Sequence, residues 1–356
     1  IDGGGAFEIF HMTTAAAGNG ELLHLEGLEI RGGLAPQGGG VYVGRNRALE
    51  VVDCHLVGNR SVGEGGAIRA ERPIRVQVLR TLVEDNTAGT LGGGLGMNLV
   101  AEAEVVDSTF AGNVAETSSG GGISAFSVSS LAVRRSTLSG NSAAEDGGGL
   151  SNVVSTVRIE SSTVVDNAAD MDDLNAGDGG GIAVAGPGAV ILLANTLVAG
   201  NLDLSTSGDL CPDGFRKLQG AVATEGFNLV GANDCFDPNF PAGAPNTNGD
   251  FVGSSASPVD PLLDPLALIG GPTPTHLPGP ASPAVDQGSC PGEVADQRGY
   301  GHRPAASRVV DDPSIPDFGD GCDIGAVEVG GKDLTGLVFA DDFESGDLIR
   351  WPSALP

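Results

Sequence analysis

Between residues 38 and 201 the chain alternates apolar and polar side chains in steps of two, in short runs that return at a fixed interval. An asparagine marks the interval: Asn59, Asn86, Asn113, Asn141, Asn167 and Asn201 stand 27, 27, 28, 26 and 34 residues apart. Three residues before each lie Leu56, Val83, Phe110, Leu138, Val164 and Val198. Eight before lie Val51, Val78, Val105, Val133, Ile159 and Leu193, and ten before lie Leu49, Val76, Ala103, Leu131, Val157 and Ile191. Five before lie Cys54, Thr81, Ser108, Ser136, Ser162 and Thr196. A glycine cluster followed by an aliphatic residue recurs out of phase, as in Gly92-Gly93-Gly94-Leu95 and Gly120-Gly121-Gly122-Ile123.

Steps of two are strand periodicity, with alternate side chains on one face. An interval of about 27 residues is too short for a propeller blade and lacks the leucine pattern of a leucine-rich repeat. The pattern predicts an all-β chain folded as a right-handed, single-stranded parallel β-helix with three short strands per coil. Stacked coils, ~4.8 Å apart, turn equivalent residues into columns. Aliphatic columns fill the interior, and the glycines turn corners with φ > 0. The asparagine column is expected to form an internal amide ladder, pairing backbone groups that would otherwise be buried alone. One column is mixed: six before the asparagine lie Asp53, Arg80, Asp107, Arg135, Ser161 and Asn195. Its plain reading is a surface ion-pair ladder; its bolder reading is a binding strip for a polar polymer.

Glycine, at 58 of 356 residues, suits short strands joined by tight corners. A net charge of −28, with lysine only at Lys217 and Lys332, excludes a basic nucleic-acid footprint and a polybasic lipid contact. No apolar run is long enough to predict a transmembrane segment. The regular pattern stops near residue 201, where four of the five cysteines begin. Cys211 with Cys235, and Cys290 with Cys322, each bracket one irregular segment, which predicts a disulfide-stapled C-terminal region in an oxidising compartment. Other pairings remain open, as does a zinc site, although the CxxC pairs of zinc ribbons are missing.

The glycine-aliphatic signature and Phe110-Ala111-Gly112-Asn113 resemble the repeats of bacterial polymorphic outer-membrane proteins. The C-terminal half is more specific. Gly226-Phe227-Asn228-Leu229-Val230-Gly231, Asp260-Pro261-Leu262-Leu263, Gly270-Gly271-Pro272-Thr273-Pro274-Thr275-His276, Ser282-Pro283-Ala284-Val285-Asp286, Asp296-Gln297-Arg298-Gly299, Arg303-Pro304 and Cys322-Asp323-Ile324-Gly325-Ala326-Val327-Glu328 follow in order. This series resembles the choice-of-anchor Q domain of secreted bacterial β-helix proteins. The resemblance implies export and a β-helix; it implies no reaction. It divides the chain into regular coils over 1–201, degenerate coils and a cap over 202–330, and an acidic tail over 331–356. It also implies that Ile1 lies inside the native helix, with coils or a cap before it.

Hydrolases on this scaffold need paired carboxylates, one as acid and one as base or nucleophile. The motifs of pectin-degrading hydrolases are not found in order, and residues 1–216 hold no lysine for a lyase. Arg80, Arg134, Arg135 and Arg158 remain for an arginine-based lyase, against the repulsion between the chain's charge and a uronate polymer. The histidines, His11, His24, His55, His276 and His302, form no metal-binding spacing. Asp170, Asp172, Asp173 and Asp178 share the longest turn of the repeat region and form either a solvated acidic loop or a Ca²⁺ site. Asp286, Asp296, Arg298, Arg303, Asp323 and Glu328 most simply hold an irregular cap together. The expectation is an extracellular or cell-surface structural and adhesive protein without catalytic activity. Its partners would be other copies of itself, cell-surface or matrix components, or polysaccharide. The alternative is a carbohydrate-active enzyme or a polysaccharide-binding module.

Overall fold

Each run of alternating apolar residues ends at a residue in the left-handed conformation, which turns the chain into the next strand. The computed structural model describes residues 1–13, 20–171, 177–205, 211–217, 219–235, 240–301 and 308–333. They contain no helix; the strands stack as a parallel β-helix of about seven turns. Four parallel sheets run along it. The first collects the strands after the glycines, from Phe10–Met12 and Val41–Val43 to Gly214–Lys217. The second holds the longest strands, from Leu22–Glu26 to Ala221–Thr224. The third holds the strands before each asparagine, from Glu29–Arg31 to Phe251–Val252. The fourth consists of two-residue strands after the asparagine, from Leu34–Ala35 to Leu202–Asp203. Three strands per coil therefore carry the core, and the fourth is too short to register as a period.

The register places like on like. Val76 pairs with Ala103, Ala103 with Leu131, Leu131 with Val157, and Val157 with Ile191. These columns, with Ile68, Leu95, Ile123 and Leu150 from the first sheet and Phe110 from the third, form one continuous buried core.

Glycines turn corners with positive φ, as the sequence predicts, from Gly38 to Gly179, and other residues turn the rest. The mixed column supplies one corner of every coil, with φ of 50° at Asp53, 46° at Arg80, 51° at Asp107 and 42° at Arg135. Left-handed backbone costs a non-glycine residue roughly 1–2 kcal/mol. The side chains offset part of it: Arg80 donates to both Asp53 oxygens at 2.8 Å, and Arg135 to both Asp107 oxygens at 2.7 and 3.2 Å. Glycine is needed where the short strand swings back to the first sheet. At Gly92, φ is 70°, and a Cβ would lie 2.5 Å from Gly96 Cα.

Parallel pairing persists past residue 201, thinning to the single strand Phe251–Val252. After residue 260 the chain turns back along the outer face of the third sheet. In the first coils that face carries charge, with Glu29, Arg31, His55 and Glu84 beside Val57 and Leu82, and none of these is buried. From Thr109 onward it carries Thr109, Ala111, Thr137, Ser139, Thr163, Val165, Leu197 and Ala199, all buried. Val165, Leu197, Ala199, Leu229 and Phe251 pack there against Ala284 and Ile324, a second core outside the helix. The hydroxyls are tied as well. Thr109 donates to Pro274 O at 2.7 Å, Thr137 to Gln297 Oε1 at 2.7 Å, and Thr163 Oγ1 accepts from the Ala326 amide at 3.1 Å. Disulfides Cys211–Cys235 and Cys290–Cys322 staple this region, and Cys54 is a buried free thiol.

Candidate functional site

Two polar ladders run inside the helix, each just after a left-handed corner. In the first, Asn86 Oδ1 accepts from the Asn59 amide at 2.9 Å and from Asn59 Nδ2 at 3.0 Å. The same double contact repeats from Asn86 to Asn113, Asn113 to Asn141, Asn141 to Asn167 and Asn167 to Asn201. Each Nδ2 also donates to a carbonyl of the preceding coil, as Asn113 does to Val83 O at 2.9 Å. In the second ladder, backbone amides donate to hydroxyls: Cys54 to Thr81, Thr81 to Ser108, Ser108 to Ser136, Ser136 to Ser162.

Both ladders end on a buried carboxylate. Asp213 Oδ1 accepts from the Asn201 amide at 3.1 Å and Nδ2 at 2.9 Å, and its Oδ2 accepts from Ala232 at 2.6 Å. In the other, Thr196 donates to Asn228 Oδ1, and Asn228 donates twice to Asp250 Oδ1 at 2.9 Å. Asp213 occupies the register of Gly181, the last glycine of a corner triplet. The sequence gives no sign that a carboxylate there takes the next rung.

Asp213 is also the floor of a cleft where helix and C-terminal segment meet. Two hollows of about 450 and 340 Å³ share Gly200, Asp260 and Pro261. Their apolar walls include Leu202, Pro212, Val259 and Leu263, and their carboxyls are Asp166, Asp203, Asp213, Asp260 and Asp264. Burial pushes the Asp213 carboxyl up to about 6, against the N–H donors from Asn201 and Ala232 that pull it down.

A raised native pKa means that folding takes up a proton. The stability this group contributes is whole below its unfolded value, near 4, and is lost as pH rises through about 6. Asp213→Asn removes that titration. The stability gap between parent and variant is expected to shift by about 2 kcal/mol in the variant's favour between pH 4 and pH 7. Urea unfolding at both pH values measures it, and a constant gap would show that Asp213 does not titrate in this window.

His276 lines the smaller hollow. Its Nδ1 lies 2.8 Å from Asp264 O, which can only accept, so Nδ1 carries the proton. Its Nε2 lies 2.8 Å from Ser139 Oγ. This serine–imidazole pair has a carbonyl where a catalytic triad has a carboxylate, and Ser139 is buried beneath the C-terminal segment. It is one more tie between segment and sheet, beside those of Thr109, Thr137 and Thr163.

The acidic turn is only partly in view, since Asp172 and Asp173 lie outside the described residues. Asp170 is buried after the short strand Ala168–Ala169. The Asp178 amide donates to Asp146 Oδ1 at 3.0 Å, and the carboxylates of Asp178 and Asp203 come within 4.8 Å of each other and of Cys211 Sγ. That sulfur is bound in a disulfide, so it offers no thiolate. Asp203 itself accepts from Ser205 and Cys211 amides at 2.9 and 2.8 Å.

The charges of the C-terminal motifs form one buried cluster. Arg298 donates to Asp296 Oδ2 at 2.7 Å and to Glu328 O at 2.7 Å, with its guanidinium 4.5 Å over the Tyr300 ring. Arg308, fully buried, reaches Glu293 at 2.9 Å, Glu328 at 3.4 Å and Asp323 O at 3.1 Å. Burial raises the Asp323 and Glu328 carboxyls, with Arg308 opposing it. Arg308 and Glu293 were not singled out in the sequence, because their partners lie in irregular chain with no period to align them. Arg303 and His302 lie outside the described residues.

Comparison with family models, curated proteins and solved structures returns nothing significant for any part of the chain. The reading of function therefore rests on the chain's own geometry and on the motifs quoted above.

Proposed function

We propose that this chain is an extracellular or cell-surface β-helix that acts as a structural and adhesive module, without catalysis, in the setting that its choice-of-anchor Q resemblance implies. The observation that carries this reading is how the outer faces use their charge. On the second sheet, His24 pairs with Glu50 at 2.7 Å, Gln77 with Glu104 at 2.9 Å, and Arg134 lies between Glu104 and Glu160 at 3.7 and 3.5 Å. Corner charges pair in the same way. The polar groups of one coil are spent on the next, which yields a long regular face suited to broad contact. Two disulfides favour an oxidising compartment, and among the described residues no helix is long and apolar enough to cross a membrane. Other copies of the chain, cell-surface or matrix components and polysaccharide are the partners that such faces fit.

The acidic cleft favours a second reading, a polysaccharide-degrading enzyme, since Asp213 holds its proton to higher pH than an ordinary aspartate. Against it, three N–H donors already occupy the Asp213 oxygens. A panel of neutral and uronate polysaccharides, with and without Ca²⁺, separates the two. Binding or no binding, without new reducing or unsaturated ends, is the expected result. Release of such ends from any member would overturn the non-catalytic reading.

A further inference from the structure

Asp286 is a buried acid of the C-terminal segment. It is 1% exposed, and its Oδ2 has no hydrogen-bond partner. Its amide donates to Asp323 Oδ1 at 2.8 Å, and its Oδ1 accepts only a long contact of 3.4 Å from the Asp312 amide. Around it stand three more carboxylates, Asp311, Asp312 and Asp317, close enough for their charge to act on it. All three are exposed, and among the described residues none of the four has a salt bridge.

The surroundings are held in place. Gln287 Nε2 donates to Pro316 O at 2.8 Å, the Asp320 amide donates to Gly288 O at 3.3 Å, and the Cys290–Cys322 disulfide joins the two strips of chain. Asp312 Oδ1 is fixed by the Ser314 amide and hydroxyl at 2.9 and 2.7 Å. The donors on offer are oxygens; the sulfurs nearby are oxidised.

We propose that Asp286 and the 311–317 loop form a Ca²⁺ site, with Asp286 Oδ2 as its buried ligand and the carboxylates of Asp311, Asp312 and Asp317 closing over it from the rim. No three of these carboxylates bring their oxygens within 4.8 Å of one another, so the ion draws the side chains of Asp311 and Asp317 inward, while Asp312, whose Oδ1 Ser314 holds, offers Oδ2. Ca²⁺ accepts six to eight oxygens in irregular geometry, whereas Mg²⁺ demands a strict octahedron. The ion supplies the opposite charge that the cluster lacks and pins the loop to the segment covering the third sheet.

The test is calorimetric titration of the cation-stripped full chain with CaCl2, beside thermal unfolding with and without the ion. One Ca²⁺ is expected to bind here, with a Kd of about 0.1–1 mM, the range of extracellular modules, and to raise the Tm. Asp286→Asn is expected to abolish this response and, by removing the orphaned charge, to raise the Tm of the ion-free protein. Asp317→Asn, at the exposed rim, is expected to weaken binding at least about tenfold and serves if the first variant fails to fold. Asp178→Asn, in the other acidic turn, should leave this binding unchanged. No binding at millimolar Ca²⁺, or binding that survives both Asp286→Asn and Asp317→Asn, would overturn the proposal.

Discussion

Arg308→Met is expected to destabilise the C-terminal segment by about 3–5 kcal/mol, the cost of leaving buried charges without their partner. The substitution removes the donors to Glu293, Glu328 and the carbonyls of Asp323 and Gly325, all but the partly exposed Glu293 in a site from which water is excluded. Two guanidiniums, Arg298 and Arg308, serve four carboxyls, Glu293, Asp296, Asp323 and Glu328. Removing one cation makes each remaining charge costlier. Lysine should rescue little, because one ammonium cannot replace a planar fork that reaches several acceptors. The effect should also depend on pH. Asp323 and Glu328 have raised pKa values, so acid neutralises the charges that Arg308 compensates and shrinks the penalty. Hydrogen exchange reads the result locally: amides over 284–328 should lose protection while those of the coils keep theirs. A loss below 1 kcal/mol at pH 7 would mean that the carboxyls are already neutral and the arginine is not their partner.

The contrast between coils and segment is also a contrast in what a sequence reveals. Val76, Ala103, Leu131, Val157 and Ile191 recur at one interval because each packs on its own copy in the next coil, so a single spacing reports the register. The four-cornered cross-section was hidden for the same reason, since a two-residue strand such as Thr87–Ala88 has no alternation to detect. The glycine corners were legible, and the first glycine of each cluster does take a positive φ; the mixed-column corners were not, because glycine is not required there. Arg80 and Asp107 adopt the left-handed conformation, and their role was legible only as charge alternation. The cover over the third sheet did leave a trace. The outward positions change from Glu29, Arg31 and Glu84 to Thr109, Ala111, Ser139, Val165 and Ala199, the change expected where a solvated face becomes an interface. The cleft, the Asp213 rung and the Arg308 cluster left none, since they join residues from irregular chain whose spacing carries no period.

The ladder yields the second large effect. Asn113→Leu keeps the volume near its original value and places an aliphatic side chain beside Phe110, so packing alone would tolerate it. Hydrogen bonding does not. The Asn86 amide loses Oδ1 of Asn113 and Val83 O loses its donor, whereas Asn86 Nδ2 keeps Leu56 O and Glu84 O. Each of the two orphaned groups is buried and costs about 1–3 kcal/mol when unpaired, so the total is expected near ~3 kcal/mol after the gain from burying leucine. Asn113→Asp should do no better, because it keeps an acceptor but places a charge where Val83 O needs a donor. The damage should be local, since each coil touches chiefly its neighbours. Amides of the Asn86 and Asn113 coils should therefore exchange faster than those near Asn167, and a uniform loss of protection would show instead that the whole solenoid unfolds as one unit. The ladder's end behaves differently from its middle. At Asn201 the next rung is the Asp213 carboxylate, so Asn201→Leu strands a buried acid as well as a chain of amides, and its cost should rise with pH as that acid ionises, whereas the cost of Asn113→Leu should be flat.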